Sequence, residues 1–400
     1  MFPIINVAAN KCQHKWRCSG NIFPNLTLLL NVIVENSWIF DIRLAVVYLK
    51  AGLMLKKMTV ISITIIILAA ACQERRSAKN QSHIARQHQK INSADSAARL
   101  IEYLKAQNLP TAESVEIWNS GFGGSLKITT THYEIYSTLK EPLMLRDVPA
   151  FLETCFNNYQ QQLTEPLQTN KKFTIYLFDN RSQWQLFTAG FAGRQSQIYN
   201  QIKAGAYYLD GACIAYNIGR ERTFQALGHE CWHQFVDRLF KFRLPSWLNE
   251  GLATQFEANR YEKGLFYIEP AENTYRLDML KKAVAQNQTI PLEKLLETDP
   301  GSLVGNDPQI SAFYSQCYAL VLFLRQADAG NFNLLLTDGL KGKWPISNED
   351  KLTAADRTIP LTVIWNKNVG PQLFKQYFGS DIHTIEKDYL DFCKNIVRGR

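Results

Sequence analysis

The hydrophobic positions change period once along residues 97–400. In the first half they form short β-type runs. Val115–Trp118 and Leu126–Thr138 are rich in Ile, Thr and Tyr with partial alternation, and Gly121-Phe122-Gly123-Gly124 separates them as a turn. Lys172–Phe178 predicts a buried strand ended by Asp179-Asn180, and 205–217 predicts another. As one straight strand, 205–217 would turn Tyr207, Leu209 and Cys213 to one face and Tyr208, Asp210 and Ile214 to the other. Its edge could pair with an extended peptide, although the pattern does not say which face is wet. Helical spacing of Leu145, Val148, Leu152, Phe156, Tyr159 and Leu163 predicts a helix over 144–164. From about Thr223 the helical period takes over. It predicts a long helix to about Phe242, then helices over 246–258, 274–287, 309–328, 330–340 and 381–396. Strands early and helices late make an α+β body, with no internal repeat.

The first 96 residues follow a different pattern. Residues 59–71 are an uncharged apolar run, shorter than the ~20 residues a membrane-spanning helix needs. Lys56 and Lys57 precede it, so 54–71 reads as a secretory signal, with Met54 or Met58 as its natural start. Leu68-Ala69-Ala70-Ala71-Cys72 resembles a bacterial lipoprotein cleavage box, with leucine one place earlier than usual. The resemblance implies that Cys72 is lipidated; the alternative is an ordinary signal peptide followed by an incidental cysteine. Residues 1–53 would then be upstream sequence from a misplaced start, or else an N-terminal extension. Residues 72–96 are polar and charged, too poor in apolar side chains to order themselves, and read as a flexible tether. Gln73 is not the aspartate that commonly retains lipoproteins at an inner membrane. The expected location is therefore the extracytoplasmic bacterial envelope, lipid-anchored at the outer membrane or cell surface.

Composition narrows the classes further. Of 400 residues, 46% are hydrophobic and 20% charged, which excludes a wholly disordered protein and a multi-span membrane protein. Much of the formal +8 charge lies within the first 71 residues, and there is no Lys/Arg-rich run, so no nucleic-acid partner is expected. Beyond Cys72, five cysteines remain (Cys155, Cys213, Cys231, Cys317 and Cys393), an odd number that leaves at least one unpaired.

The chemistry concentrates in 229–250. His229-Glu230-Cys231-Trp232-His233 is an H-E-x-x-H motif. On a helix, positions i and i+4 share a face, so both imidazoles can reach one Zn²⁺, with Glu230 placed as general base. Phe224, Leu227, Cys231, Phe235 and Leu239 supply the apolar stripe such a helix needs. Pro245 ends it, and Ser246 is a suitable N-cap for a returning helix. That helix would carry Glu250 back as third ligand, giving the His₂Glu set of catalytic zinc sites.

H-E-x-x-H followed by Pro245-Ser246-Trp247-Leu248-Asn249-Glu250-Gly251-Leu252-Ala253 resembles the gluzincin metallopeptidases, closest to the peptidase MA-like group. Weaker similarities at Gly205–Asn217, Tyr314–Leu324 and Phe378–Asp381 extend the resemblance over roughly residues 125–396. It implies a thermolysin-like fold in 97–400, with a small β-sheet portion, a mainly helical portion and the zinc helix between them. It also implies a tyrosine that stabilises the oxyanion. Tyr314 resembles the one in the aminopeptidase branch, and Tyr318 stands one turn on. Asp237 resembles an aspartate that orients a zinc-bound histidine in some gluzincins; otherwise it is a solvated neighbour of Arg238.

The expected activity is zinc-dependent hydrolysis of a peptide or protein by a membrane-tethered enzyme. Two other readings stay open: a non-catalytic lipoprotein using the scaffold for binding or envelope assembly, and hydrolysis of a non-peptide amide or ester.

Overall fold

A three-stranded antiparallel unit, one buried parallel strand and an antiparallel hairpin make the sheet on which the computed structural model is built; it describes residues 95–107, 111–202 and 205–398. A helix over 95–106 (α1) comes first, burying Ala97, Leu100 and Leu104. The stretches read as signal, cleavage box and N-terminal extension lie outside the described residues. So does the tether, apart from its last two residues, which belong to α1.

β1 (Ala112–Ile117), β2 (Leu126–Thr130) and β3 (Tyr133–Ser137) are antiparallel neighbours. The sequence pattern runs β2 and β3 together as Leu126–Thr138. A turn at Thr131-His132 divides them, pinned from α2 (Pro142–Gln160), where Glu153 accepts from Thr130 Oγ1 at 2.6 Å and from the His132 amide at 2.8 Å. β4 (Phe173–Phe178) then pairs parallel to β3, and α3 (Arg181–Phe191) and α4 (Ser196–Tyr199) follow.

The predicted strand over 205–217 is also a hairpin, of β5 (Ala206–Leu209) and β6 (Ala212–Tyr216). Asp210 and Gly211 both take positive φ, 47° and 80°, which reverses the backbone direction. The reversal changes the parity of the faces. Tyr207 stands opposite Ile214, and Tyr208 opposite Cys213, so the face assignment for a straight strand is wrong. Tyr207 and Ile214 pack with Trp184, Tyr199 and Ile202 on one side of the sheet, whereas Cys213 joins the main core on the other. The strand order is β1-β2-β3-β4-β6-β5, which leaves β5 as an edge.

The rest is helical apart from one small hairpin. α5 (Arg220–Leu239) crosses the sheet and meets α2, and α6 (Ser246–Ala253) returns alongside it. The predicted helix over 246–258 is shorter than expected. It tightens into a 3-10 turn at Thr254–Phe256 and gives way to β7 (Asn259–Glu262) and β8 (Leu265–Ile268). Then come α7 (Thr274–Ala285), α8 (Leu292–Glu297), α9 (Asp307–Ala327), α10 (Ala329–Lys341), α11 (Asn348–Ala355), α12 (Val363–Phe378) and α13 (Ile382–Arg398). α9 packs on α6 and α7, so the C-terminal helices form a wall behind the 229–250 segment. This is the expected α+β order. No described helix is long and apolar enough to cross a membrane.

Candidate metal centre

α5 is buried on nearly every side. Thr223, Phe224 and the unbroken run Ala226–Val236 are buried, because the β5–β6 hairpin lies on one side and α2 and α6 on others. Trp232 stacks on Phe256, and Tyr159 meets both Trp232 and Phe256 edge-on. The motif helix is therefore held rigidly, as a site for directed chemistry requires.

His229 and His233 lie one turn apart, their ring centroids separated by 5.0 Å. Glu250, fifth residue of α6, reaches both: its Oε2 is 3.3 Å from His229 Nε2 and 3.6 Å from His233 Nε2. Bonds of about 2.0–2.1 Å to a tetrahedral ion set neighbouring donors roughly 3.3–3.4 Å apart. The three donors lie within 4.8 Å of one another, and they are the set of this kind among the described residues. His229, His233 and Glu250 are 0%, 4% and 4% exposed. His233 Nε2 and Glu250 Oε2 are buried without a hydrogen bond, an arrangement that is costly unless a cation joins them. The donors thus fit a metal ion.

Glycine makes the approach of the supporting elements feasible. A Cβ on Gly228 would lie 2.2 Å from the Phe256 carbonyl oxygen, and one on Gly251 would lie 2.6 Å from that of Cys317. The first lets the turn after α6 press against α5; the second lets α9 press against α6. Each glycine adjoins a ligand. Ser246 is not the N-cap. It is the first residue of α6, whose opening amides at Leu248 and Asn249 bond the Pro245 carbonyl, while the Ser246 amide donates to Asn366 Oδ1.

The electrostatics oppose burial with close partners. Burial disfavours charge on His229, but the adjoining carboxylates of Glu250 and Glu257 outweigh it and raise its pKa to about 9. Burial likewise opposes ionisation of Glu250, yet the charge of His233 and the close approach of His229 bring it down to about 2. Glu230 behaves differently. It is 1% exposed, and burial lifts its pKa above the usual carboxylate range against the pull of His229 and His233. The backbone N–H of Tyr208 on β5 favours its charged form slightly, and its Oε2 makes no hydrogen bond. A carboxylate raised toward neutrality with one oxygen free is suited to proton transfer.

The carboxylate that orients a histidine is Glu257, which the sequence pattern does not single out. Its Oε1 is 2.8 Å from His229 Nδ1. Arg276 of α7 grips Glu257 through Nε at 2.7 Å and Nη2 at 2.5 Å, and Asn273 Nδ2 donates to it at 2.9 Å. Burial opposes this charge too, but Arg276 and His229 hold the pKa well below the usual range. Asp237, predicted for the orienting role, is elsewhere. It accepts the Tyr208 hydroxyl at 2.6 Å and lies 3.4 Å from Arg357 Nε, while His233 Nδ1 has no hydrogen bond. Asp237 turns toward Tyr208 on the edge strand, not toward the imidazoles.

The two tyrosines of α9 separate. Tyr314 is fully buried beside His229, ring centroids 6.3 Å apart, with Arg276 over its own ring at 5.0 Å. The Tyr318 hydroxyl donates to the Pro270 carbonyl at 2.7 Å, a core role. Cys155, Cys213, Cys231, Cys317 and Cys393 are all buried and free, and Cys231 packs in the core as expected. Cys72 lies outside the described residues.

A cleft of about 430 Å3 bounded by Tyr199, Tyr208, Asn249, Arg243 and Arg357, among others, reaches as far as His233. Neither a protein-family model nor a curated protein matches the sequence. The functional reading therefore rests on this geometry and on the residues that compose it.

Proposed function

We propose that this protein is a zinc-dependent peptidase of the gluzincin kind, tethered outside the cytoplasm by a lipid on Cys72. The observation that carries the reading is the meeting of His229 Nε2, His233 Nε2 and Glu250 Oε2 within 4.8 Å, next to a buried Glu230 with an uncommitted oxygen. A scaffold used only for binding has no need of that base.

Bound there, zinc would lower the pKa of a water and polarise the scissile carbonyl. Glu230 takes a proton from the attacking water as its oxygen bonds the carbonyl carbon. It then returns that proton to the amide nitrogen as the C–N bond breaks, releasing a carboxylate and an amine. Glu257 holds His229 in orientation through Nδ1. Tyr314, adjacent to His229, is assigned to the developing oxyanion. β5 is an edge strand whose Tyr208 faces α5, so an extended peptide can pair along it and pass over Glu230. The anchor rests on the sequence of 54–96 alone.

The test is metal content together with hydrolysis of a mixed peptide library, for the wild type and Glu230→Gln. Stoichiometric zinc in both, with cleavage only by the wild type, supports the proposal. Zinc without cleavage in either favours a binding protein or a non-peptide substrate. Folded protein that takes up no zinc sinks the ligand assignment.

A further inference from the structure

The cleft beside His233 has a basic floor that hydrolysis itself does not require. Arg243, in the link between α5 and α6, and Arg357, just after α11, both line the cavity that reaches His233 and Asn249. Arginines drawn into a protein are usually matched by carboxylates. Half-buried Arg243 makes no ion pair with one, although Asp237 and Asp356 lie near enough to act on its charge. Its Nη2 donates to the backbone carbonyls of Thr353, Asp356 and Ile359 at 2.5, 2.9 and 2.6 Å, and its Nε is buried without a hydrogen bond. Arg357 spends Nη1 and Nη2 on the carbonyls of Lys241, Ala355, Asp237 and Phe240. One carboxylate faces it, Asp237 Oδ1 at 3.4 Å, and Asp237 is shared with the Tyr208 hydroxyl. Asp210 lines the same cavity from the exposed β5–β6 turn. Carbonyl bonds fix the plane of a guanidinium and leave its charge available. Burial above all, and then the charge of Arg357, weaken Arg243 as a base, against the pull of Asp237 and Asp356. Asn249, next to Glu250, adds a buried Oδ1 without a hydrogen bond to the same cleft.

We propose that this end of the cleft binds a carboxylate of the peptide substrate. Arg243 Nε gives the charged hydrogen bond, Arg357 adds a second positive charge, and Asn249 Oδ1 accepts a peptide N–H beside them. The inference rests on the peptidase reading and names its substrate class: peptides with a carboxylate close to the scissile bond. The C-terminus of a peptide and an Asp or Glu side chain share this chemistry.

The test uses the zinc-supplemented full-length protein with Glu230→Gln, so that binding is read without turnover. Three pools of neutral hexapeptides are titrated by calorimetry: free C-terminal acids, C-terminal amides, and amides with one glutamate in the last three positions. Acids at least tenfold tighter than neutral amides are expected, and Arg243→Gln should remove the difference. If the glutamate amides regain the affinity, the carboxylate is a side chain; if only the acids bind tightly, it is the peptide terminus. Arg243 also anchors residues 353–359, so Arg357→Gln and the peptide series with both arginines intact provide the test should Arg243→Gln not fold. Equal binding of all three pools, no binding at millimolar peptide, or a tenfold difference that survives both substitutions overturns the proposal. Glu230-dependent hydrolysis of acids and amides alike would keep the peptidase and discard the carboxylate subsite.

Discussion

Replacing Glu257 with glutamine separates two things that one carboxylate does. It neutralises Arg276, and it orients His229. Glu257 is 3% exposed and Arg276 1%, so water screens neither charge. Removing one partner of a buried pair costs about 3–5 kcal/mol. Glutamine keeps one acceptor oxygen for the guanidinium, which places the expected loss near the lower end, about 3 kcal/mol. The second effect falls on the metal. Loss of the carboxylate behind a zinc-bound histidine lowers metal affinity by roughly 10–100-fold, or about 1.4–2.7 kcal/mol.

The two effects are read independently. Urea unfolding in chelator gives the stability, and competition against a chromophoric chelator gives the zinc affinity. Adding Arg276→Met to Glu257→Gln removes the stranded cation. Stability should then recover in part, short of wild type because Arg276 also packs over Tyr314. Zinc affinity should stay low, because His229 Nδ1 still lacks its carboxylate. Zinc affinity within about twofold of wild type in the single variant would refute the orienting role. So would its full return in the double variant, which would mean that the buried charge alone had disturbed the site.

Three further outcomes follow from the same packing. Gly228→Ala puts a methyl group 2.2 Å from the Phe256 carbonyl, so the turn that leads into Glu257 must retreat; unfolding should show about 1–3 kcal/mol of lost stability along with weaker zinc binding, and unchanged values would contradict the close approach. Tyr314→Phe should lower kcat by about 10²–10³ with KM unchanged if its hydroxyl meets the oxyanion, whereas Tyr318→Phe, whose hydroxyl bonds Pro270, should alter stability alone. Glu153 is held below its ordinary pKa: burial works against it, but the hydrogen bonds from His132 and Thr130 prevail. Its contribution is therefore complete above the unfolded value of ~4.3 and fades as pH falls through the lower folded value, so the gap of about 1–2 kcal/mol between wild type and Glu153→Gln at pH ~6 should close in acid, and a gap constant with pH would exclude the mechanism.

The sequence reveals a residue when a period or a fixed spacing ties it to its partner. His229, Glu230 and His233 share one turn of a helix whose apolar stripe is legible, and Pro245 announces the reversal that returns Glu250. His229, His233 and Glu250 bring their donors together in space. Glu257 obeys no such rule. It lies seven residues past Glu250, where continued α-helix would keep it near the same face but farther along the axis. The backbone instead tightens into the 3-10 turn at Thr254–Phe256, and only the missing side chain of Gly228 lets that turn approach His229. Asp237 has ideal helical spacing from both histidines, yet α5 aims it at the edge strand, because Tyr208 and Arg357 offer it a donor and a cation there. The β5–β6 hairpin is hidden for a related reason. Asp210-Gly211 interrupts an otherwise continuous β-type run, and that interruption exchanges the faces of every position after it. α12 is obscured because Gly370 and Pro371 lie inside it, where Gly370 admits the Leu296 carbonyl of α8. In each case the missing information is a tertiary contact made through a turn or an absent side chain. The candidate metal donors are legible because helix geometry places them. Their support and the basic floor of the cleft are not, since both are assembled from links between elements, which carry no period to read.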